Sequence, residues 1–449
     1  MKIIIAGAGD VGSHLAKMLS NEYHDLIIID NDETRLNHVA EISDVVAVFG
    51  SPTSIKTLSL AGAAHADLFI AVSPAQEQDV NIISALLAKK MGSAKVTARI
   101  NNDEYLQNEN KILFTEMGID LLFYPEKIAS HEIIDLLKQT GTSEFMDFSG
   151  GKLQLIVFRL DDGAPLIDKT MSELALFSED PPYRAVAIAR DGTTIIPRGA
   201  TRFKEHDLVF VISKRTGVQE AMSYSGKNNI DVKRLMIVGG GKIGELVAKK
   251  LENTVDYIKL IERKKERCDV LTERLSKTLI INGDARNTDL LIEEDVNDFD
   301  AFVAVTSSSE TNILSCVMAK KMGVAKTIAE VENIDYIKLA EGMGVDAVIN
   351  KKLITASRIF RFTLSNNVQS IKCLNGSDAE ILEFIANPNS SITKDKIRYL
   401  GFPKDAIIGG VIRGNHSYIA LGDTEIKPYD RVVVFALPSA LKKVNKFFA

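Results

Sequence analysis

The sequence predicts an α/β protein made by internal duplication: two doubly wound parallel-sheet domains, each followed by a small α+β domain. Three observations carry this. Residues 2–19, KIIIAGAGDVGSHLAKML, return as residues 234–251, RLMIVGGGKIGELVAKKL, so Gly7, Gly9 and Gly12 recur as Gly239, Gly241 and Gly244. In both halves short apolar runs alternate with helical patterns, the signature of βαβ units on a parallel sheet. After about residue 150, and again after about residue 367, the pattern changes to hairpin chemistry. A chain of 449 residues is too long for one core. The repeat divides it into two halves of two domains each: 1–125, a linking helix at 126–140, and 141–225; then 226–350, a linking helix at 351–366, and 367–449.

The strand candidates of the first half are Ile3–Ala6, Leu26–Ile29, Val45–Phe49, Leu68–Val72, Val96–Ile100 and Leu121–Tyr124. Those of the second are Leu235–Val238, Ile258–Ile261, Leu279–Ile281, Phe302–Val305, Thr327–Val331 and Ala347–Ile349. Their apolar content predicts strands covered on both faces. FIAVS at 69–73 faces FVAVT at 302–306, and AKKMG at 88–92 returns at 319–323. Amphipathic helices follow at 126–139 and 351–364. The small domains carry turns at Asp191-Gly192 and Gly414-Asn415, and each ends with an acid, Asp207 or Asp430, leading into an apolar strand. Residues 225–233, SGKNNIDVK, are polar and are the expected linker between the halves.

Composition excludes several functions. Net charge is −6, so no general attraction to DNA, RNA or anionic lipid is expected. No apolar run approaches the ~18 residues that span a bilayer. Met1-Lys2 leads straight into a strand, so no secretory leader is expected. Cys268, Cys316 and Cys373 are too scattered for a disulfide framework or a metal site, which fits a reducing cytoplasm. The seven histidines form no catalytic arrangement, and no HExxH, Ser/His/Asp or nucleophilic-cysteine motif is present. No catalytic and no metal-binding residue is expected.

The glycine pattern carries the chemistry. GxGxxG between a strand and a helix fits a Rossmann-like dinucleotide site. The first glycine makes the turn, the second admits a pyrophosphate, and the third lets helix and strand pack closely. The helix N-terminus offers free N–H groups to phosphate. An acid about twenty residues on would bond the ribose. Asp30 and Glu262 occupy that place in the two copies. A tight turn without ligand is the plainer alternative for either copy. Asp30 argues against a 2′-phosphate, favouring NAD or NADH over NADP. The copies differ: Asp10 faces Lys242, and Arg99 faces Glu330. The two sites are therefore expected to differ in affinity or preferred nucleotide. Ser73 and Thr306 end the fourth strands, at the sheet edge where such folds bind ligands.

Taken together, the tandem GxGxxG domains and the small units with the pattern IIPRGATRF…DLVFVI resemble the RCK family, which regulates potassium conductance. The likeness spans essentially the whole chain and is weakest at 367–449, where IIPRGAT becomes YIALGDT. The resemblance implies a nucleotide-sensing subunit rather than an enzyme. It would assemble as a homo-oligomeric ring, cytoplasmic and peripheral on the inner face of the membrane, and gate a membrane-embedded potassium channel or transporter. It implies a first site at Gly7, Ala8, Gly9, Asp10, Val11, Gly12, Asp30, Ser73, Pro74 and Arg99. The second comprises Gly239, Gly240, Gly241, Lys242, Ile243, Gly244, Glu262 and Thr306. The implied ligand is NAD or NADH, with ATP or ADP as the alternative at one site; Asp10 disfavours ATP at the first. An oxidoreductase using one glycine turn catalytically and the other structurally is the competing reading.

Overall fold

The computed structural model describes residues 1–20, 24–74, 77–175, 181–190, 193–226, 230–360, 368–373, 377 and 379–448; the Asp191-Gly192 turn lies outside them. The chain groups into two compact units. One comprises Met1–Ile128 with Lys351–Leu364, the other Ala129–Asn350 with Ser365–Ala449.

In the first unit, strands β1 (Lys2–Ala6), β2 (Asp25–Asp30), β3 (Val46–Phe49), β4 (Leu68–Ala71), β5 (Lys95–Arg99) and β6 (Leu121–Phe123) form one parallel sheet. Its order is β3-β2-β1-β4-β5-β6. The order reverses between β1 and β4, which opens the crevice where such sheets take ligands. Ile3, Ile4 and Ile5 have no solvent exposure, and Ile4 shares one core with Phe69, Val96 and Tyr124. The expectation of strands covered on both faces fails at β3. Val46 is 62% exposed and Phe49 64%, on an edge strand that pairs with β2. Helix Lys351–Phe360 also belongs to this unit, where it packs on helix Asp10–Ser20.

The second unit holds three sheets. Strands β7 (Glu144–Phe148), β8 (Leu153–Arg159), β9 (Tyr183–Arg190), β10 (Thr193–Ile195) and β11 (Leu208–Lys214) make an antiparallel sheet ordered β10-β9-β11-β8-β7. A second parallel sheet comprises β12 (Arg234–Val238), β13 (Tyr257–Glu262), β14 (Thr278–Asn282), β15 (Ala301–Ala304), β16 (Lys326–Glu330) and β17 (Ala347–Ile349). Its order, β14-β13-β12-β15-β16-β17, repeats the first sheet strand for strand. Strands β18 (Val368–Cys373), β19 (Glu380–Ile385), β20 (Ala406–Arg413), β21 (His416–Ile419) and β22 (Arg431–Ala436) form the last, antiparallel sheet. The fold is therefore two Rossmann-like parallel sheets, each followed by an antiparallel-sheet domain.

The two antiparallel sheets share one core. Leu153, Phe210 and Ile212 from one meet Ile381, Val433 and Phe435 from the other, with Phe210 and Phe435 ring centroids 5.7 Å apart. Gly409 and Gly410 make the close approach possible. A Cβ on Gly409 would lie 2.7 Å from Ile212, and one on Gly410 would lie 2.5 Å from Leu153.

Each small domain is fastened by the same clasp. Arg190 Nε and Nη2 donate to the two oxygens of Asp207, both at 2.7 Å, and Lys204 N–H donates to the same carboxylate. Arg413 holds Asp430 identically, at 2.9 and 2.7 Å, with Lys427 N–H as the third donor. The threonine that survives between IIPRGAT and YIALGDT closes a turn. Thr201 Oγ1 accepts from Arg198 N–H, and Thr424 Oγ1 from Leu421 N–H, each at 2.9 Å.

Candidate nucleotide-binding sites

At the C-terminal end of β1 the chain must reverse into helix Asp10–Ser20 within three residues. Gly7 takes φ +114°, a conformation that side chains resist. It also lies against β4, since a Cβ there would meet Ser73 N at 2.7 Å. Gly12 sits directly on this turn, where a Cβ would fall 1.8 Å from Gly7 O. At Gly9 nothing lies within 4 Å of where a Cβ would stand, so the turn is open on that side. Asp30 ends β2 and is buried beneath the turn. Its Oδ2 accepts from Ala8 N–H at 2.6 Å and its Oδ1 from Asp32 N–H at 2.9 Å. A carboxylate has about four acceptor positions, so capacity for a sugar hydroxyl remains. Val11 is buried under the turn and serves packing.

Ser73 borders the same crevice, and Pro74 follows it. Ser73 is held by a side chain that the sequence reading missed. Asn81 accepts from Ser73 N–H at 2.8 Å and donates to Ser73 O and Arg99 O at 3.1 and 3.2 Å. Arg99 is turned to Glu126, with Nη2 2.8 Å from Oε1 and both side chains largely buried. Asp10 is 75% exposed at the turn, with Lys352 Nζ 3.5 Å from its Oδ1.

One helical turn after Asp10, His14 Nε2 is buried with no hydrogen-bond partner among the described residues. Burial, then the charges of Lys352 and Lys17, hold its pKa down to about 4. The folded state therefore keeps His14 neutral where the unfolded chain, near 6.5, takes up a proton. Stability linked to this ring is fully present above about pH 6.5 and declines as pH falls toward 4. For a half-buried ring the loss should be about 2 kcal/mol. His14→Leu should flatten this part of the pH profile of β1 amide exchange, compared with wild type between pH 7 and pH 4.5. An unchanged profile would refute the assignment.

The second turn repeats the first with compensating changes. Gly239 has φ +105°, a Cβ on Gly244 would fall 2.1 Å from Gly239 O, and Gly241 faces open space. Glu262 Oε2 accepts from Gly240 N–H and Oε1 from Lys264 N–H, both at 2.8 Å. Glutamate is one methylene longer than Asp30, and Gly240 in place of Ala8 gives it room. A Cβ on Gly240 would lie 3.0 Å from Glu262 Cβ and 2.5 Å from Leu271. The middle carbonyl is bonded in both turns, by Ser13 Oγ to Ala8 O in the first and by Arg267 Nε to Gly240 O in the second. Arg267 and Arg274 also bind the buried Glu245. Ile243 is buried under the turn, while Lys242 is exposed at its rim.

Asn312 repeats the clamp of Asn81. It accepts from Thr306 N–H at 2.9 Å and donates to Thr306 O and Glu330 O at 3.0 and 2.8 Å. The signal for both asparagines was available, because NIISALLAKKMG at 81–92 returns as NILSCVMAKKMG at 312–323. Within the first unit the fold thus gathers Gly7, Ala8, Gly9, Asp10, Gly12 and Asp30 at one turn, with Ser73 packed against Gly7. Within the second it gathers Gly239, Gly240, Gly241, Lys242, Gly244 and Glu262, with Thr306 in the matching place.

No helix among the described residues is long and apolar enough to cross a membrane. Comparison with known proteins agrees with the duplication. The TrkA-N domain family matches residues 3–125 and 235–351, and the TrkA-C domain family matches 155–226 and 381–449. The chain is 35% identical to a Trk system potassium uptake protein TrkA homolog of Archaeoglobus fulgidus, over 100% of each. It is 34% identical to the Trk system potassium uptake protein TrkA of Haemophilus influenzae, over 97% of this chain and 95% of that one. Among solved structures, the GsuK channel bound to NAD matches with TM-score 0.62 at 16% identity, covering 100% of this chain and 78% of that one. The GsuK RCK domain matches with the same score and identity, covering 94% of its own length. At that identity the likeness establishes the fold alone. The full-length relatives and the paired domain matches decide the matter: the chain belongs to the TrkA family of Trk-system potassium-uptake proteins.

Proposed function

We propose that this protein is the nucleotide-sensing regulatory subunit of a Trk-type potassium-uptake system, acting on a membrane-embedded channel or transporter subunit from its cytoplasmic side. The observation that carries the reading is the pair of turns, each with an open second glycine and an acid fixed beneath it. NAD or NADH is the ligand the acids favour, at Gly7–Gly12 with Asp30 and at Gly239–Gly244 with Glu262. ATP or ADP is the alternative at the second turn, where Lys242 stands in place of Asp10. A regulator is favoured over an oxidoreductase because the full-length relatives are Trk-system potassium-uptake proteins and the seven histidines form no catalytic arrangement in the sequence.

Exposed apolar side chains support a homo-oligomeric ring. Ile83, Leu113 and Met117 on the first half recur as Leu314, Leu339 and Met343 on the second, all at least 40% exposed. Nucleotide would then favour one arrangement of the ring by a coupling of about 1–3 kcal/mol. This requires different affinities in the two states.

Equilibrium binding of NADH, NAD, ATP and ADP to the intact chain tests the reading. Asp30→Ala and Glu262→Ala should each weaken binding at their own site by about 10- to 100-fold, as expected for loss of a charged hydrogen-bond acceptor. Retention of none of the four ligands at millimolar concentration would end it.

A further inference from the structure

We propose that Lys352 is a phosphate-binding residue of the first glycine turn, and that through it the occupancy of that turn is passed to the second half of the chain. The inference rests on reading Gly7–Gly12 as a dinucleotide site. Lys352 lies 342 residues from Asp10, on the helix that follows β17 in sequence. Yet helix Lys351–Phe360 groups with the first parallel sheet and packs on helix Asp10–Ser20. Its Nζ stands 3.5 Å from Asp10 Oδ1, and its side chain is only 20% exposed. His14, on the next turn of the same helix, feels the charge of Lys352 before that of Lys17. The ammonium therefore lies along the first turn of the helix whose N-terminus would take a diphosphate.

The charges explain why a lysine is needed there. A diphosphate on this turn places about two negative charges beside the Asp10 carboxylate, and the like charges repel. Lys352 pairs with Asp10, its Nζ within ion-pair distance of Oδ1. A lysine ammonium on a flexible four-carbon stem can shift from that carboxylate to a phosphate oxygen without leaving the site. The second turn has no such problem, because Lys242 occupies the position of Asp10. One copy carries its positive charge on the turn itself. The other receives it from a helix that the chain delivers directly after β17, with only Asn350 between them. Loading the first turn would thus tighten or reposition helix Lys351–Phe360.

The test uses the full chain carrying Glu262→Ala, so that NADH binding reports the first turn. Lys352→Met should weaken NADH about tenfold, the usual size for one charged hydrogen bond at a partly exposed site. Lys352→Arg should restore most of the affinity. Asp10→Asn, which removes the repulsion, should strengthen binding several-fold. In the Asp30→Ala background, where the second turn is read, Lys352→Met should change nothing. Hydrogen exchange at 351–360 should slow on adding NADH to the protein with Lys352 and not to Lys352→Met, whereas exchange at 10–20 should slow in both. Wild-type affinity in Lys352→Met, or an unchanged affinity in Asp10→Asn, overturns the phosphate contact and leaves the site reading intact. Unchanged exchange at 351–360 overturns the coupling. Absence of any NADH effect at 10–20 with Lys352 present overturns both the inference and the site it rests on.

Discussion

Arg190→Met should destabilise the first small domain by about 3–5 kcal/mol, the usual result of leaving a buried charge without its partner. Asp207→Ala should cost less, about 2 kcal/mol. The asymmetry follows from burial. Asp207 has 0% side-chain exposure, whereas Arg190 is 21% exposed. Removing the arginine strands a fully desolvated carboxylate that keeps, among the described residues, the N–H of Lys204. Removing the aspartate leaves a guanidinium that reaches water and still donates to Arg202 O at 2.8 Å. The double substitution Arg190→Met with Asp207→Leu should recover part of the loss, because neither charge is then orphaned. The same order is expected at Arg413 and Asp430, where the pair is 35% and 2% exposed. Amide exchange of β9 and β11 would measure the first pair, and that of β20 and β22 the second. Equal costs for the two single substitutions would contradict this account.

What the sequence made legible and what it hid divide along physical lines. The glycine turns, the acids beneath them and the twelve parallel strands were readable because each rests on a local rule: left-handed backbone, close helix–strand approach, or an apolar run bounded by turns. The clasp was half readable. Asp207 and Asp430 stood out as acids before a strand, but their arginines lie 17 residues earlier, across a hairpin that only the fold closes. Asn81 and Asn312 carry no local signal of their role, which depends on carbonyls of a neighbouring strand. The exposure of β3 is not written in its apolar run, since β17, an equally apolar strand at the edge of its own sheet, is fully buried. The need for Gly409 and Gly410 was hidden, because the sheet packed against them belongs to the other small domain. Lys352 was the least accessible, because no spacing rule connects it with Asp10.

Gly12→Ala should remove nucleotide binding at the first turn and destabilise the first parallel-sheet unit by more than the ~3 kcal/mol typical of an overpacked core. The added methyl carbon would stand 1.8 Å from Gly7 O, and a backbone carbonyl cannot yield as a side chain can. Helix Asp10–Ser20 would have to lift away from β1, against the packing of Leu15, Ala16 and Leu19, none of which has any solvent exposure. The same movement would displace the helix N-terminus from the position at which its N–H groups meet a phosphate. Gly244→Ala repeats the collision at 2.1 Å in the second copy. Its cost should be somewhat smaller, because the approach is less close. Because each collision lies wholly within one copy, the two substitutions separate the sites. Gly12→Ala should leave protection by nucleotide at 242–251 intact, and Gly244→Ala should leave it intact at 10–20. Gly9→Ala supplies the contrast, since no atom lies within 4 Å of its added carbon. It should fold normally yet weaken NADH, because only the approach of the ligand is obstructed. A Gly9→Ala protein with undiminished NADH affinity would show that phosphate does not approach the turn at its second glycine.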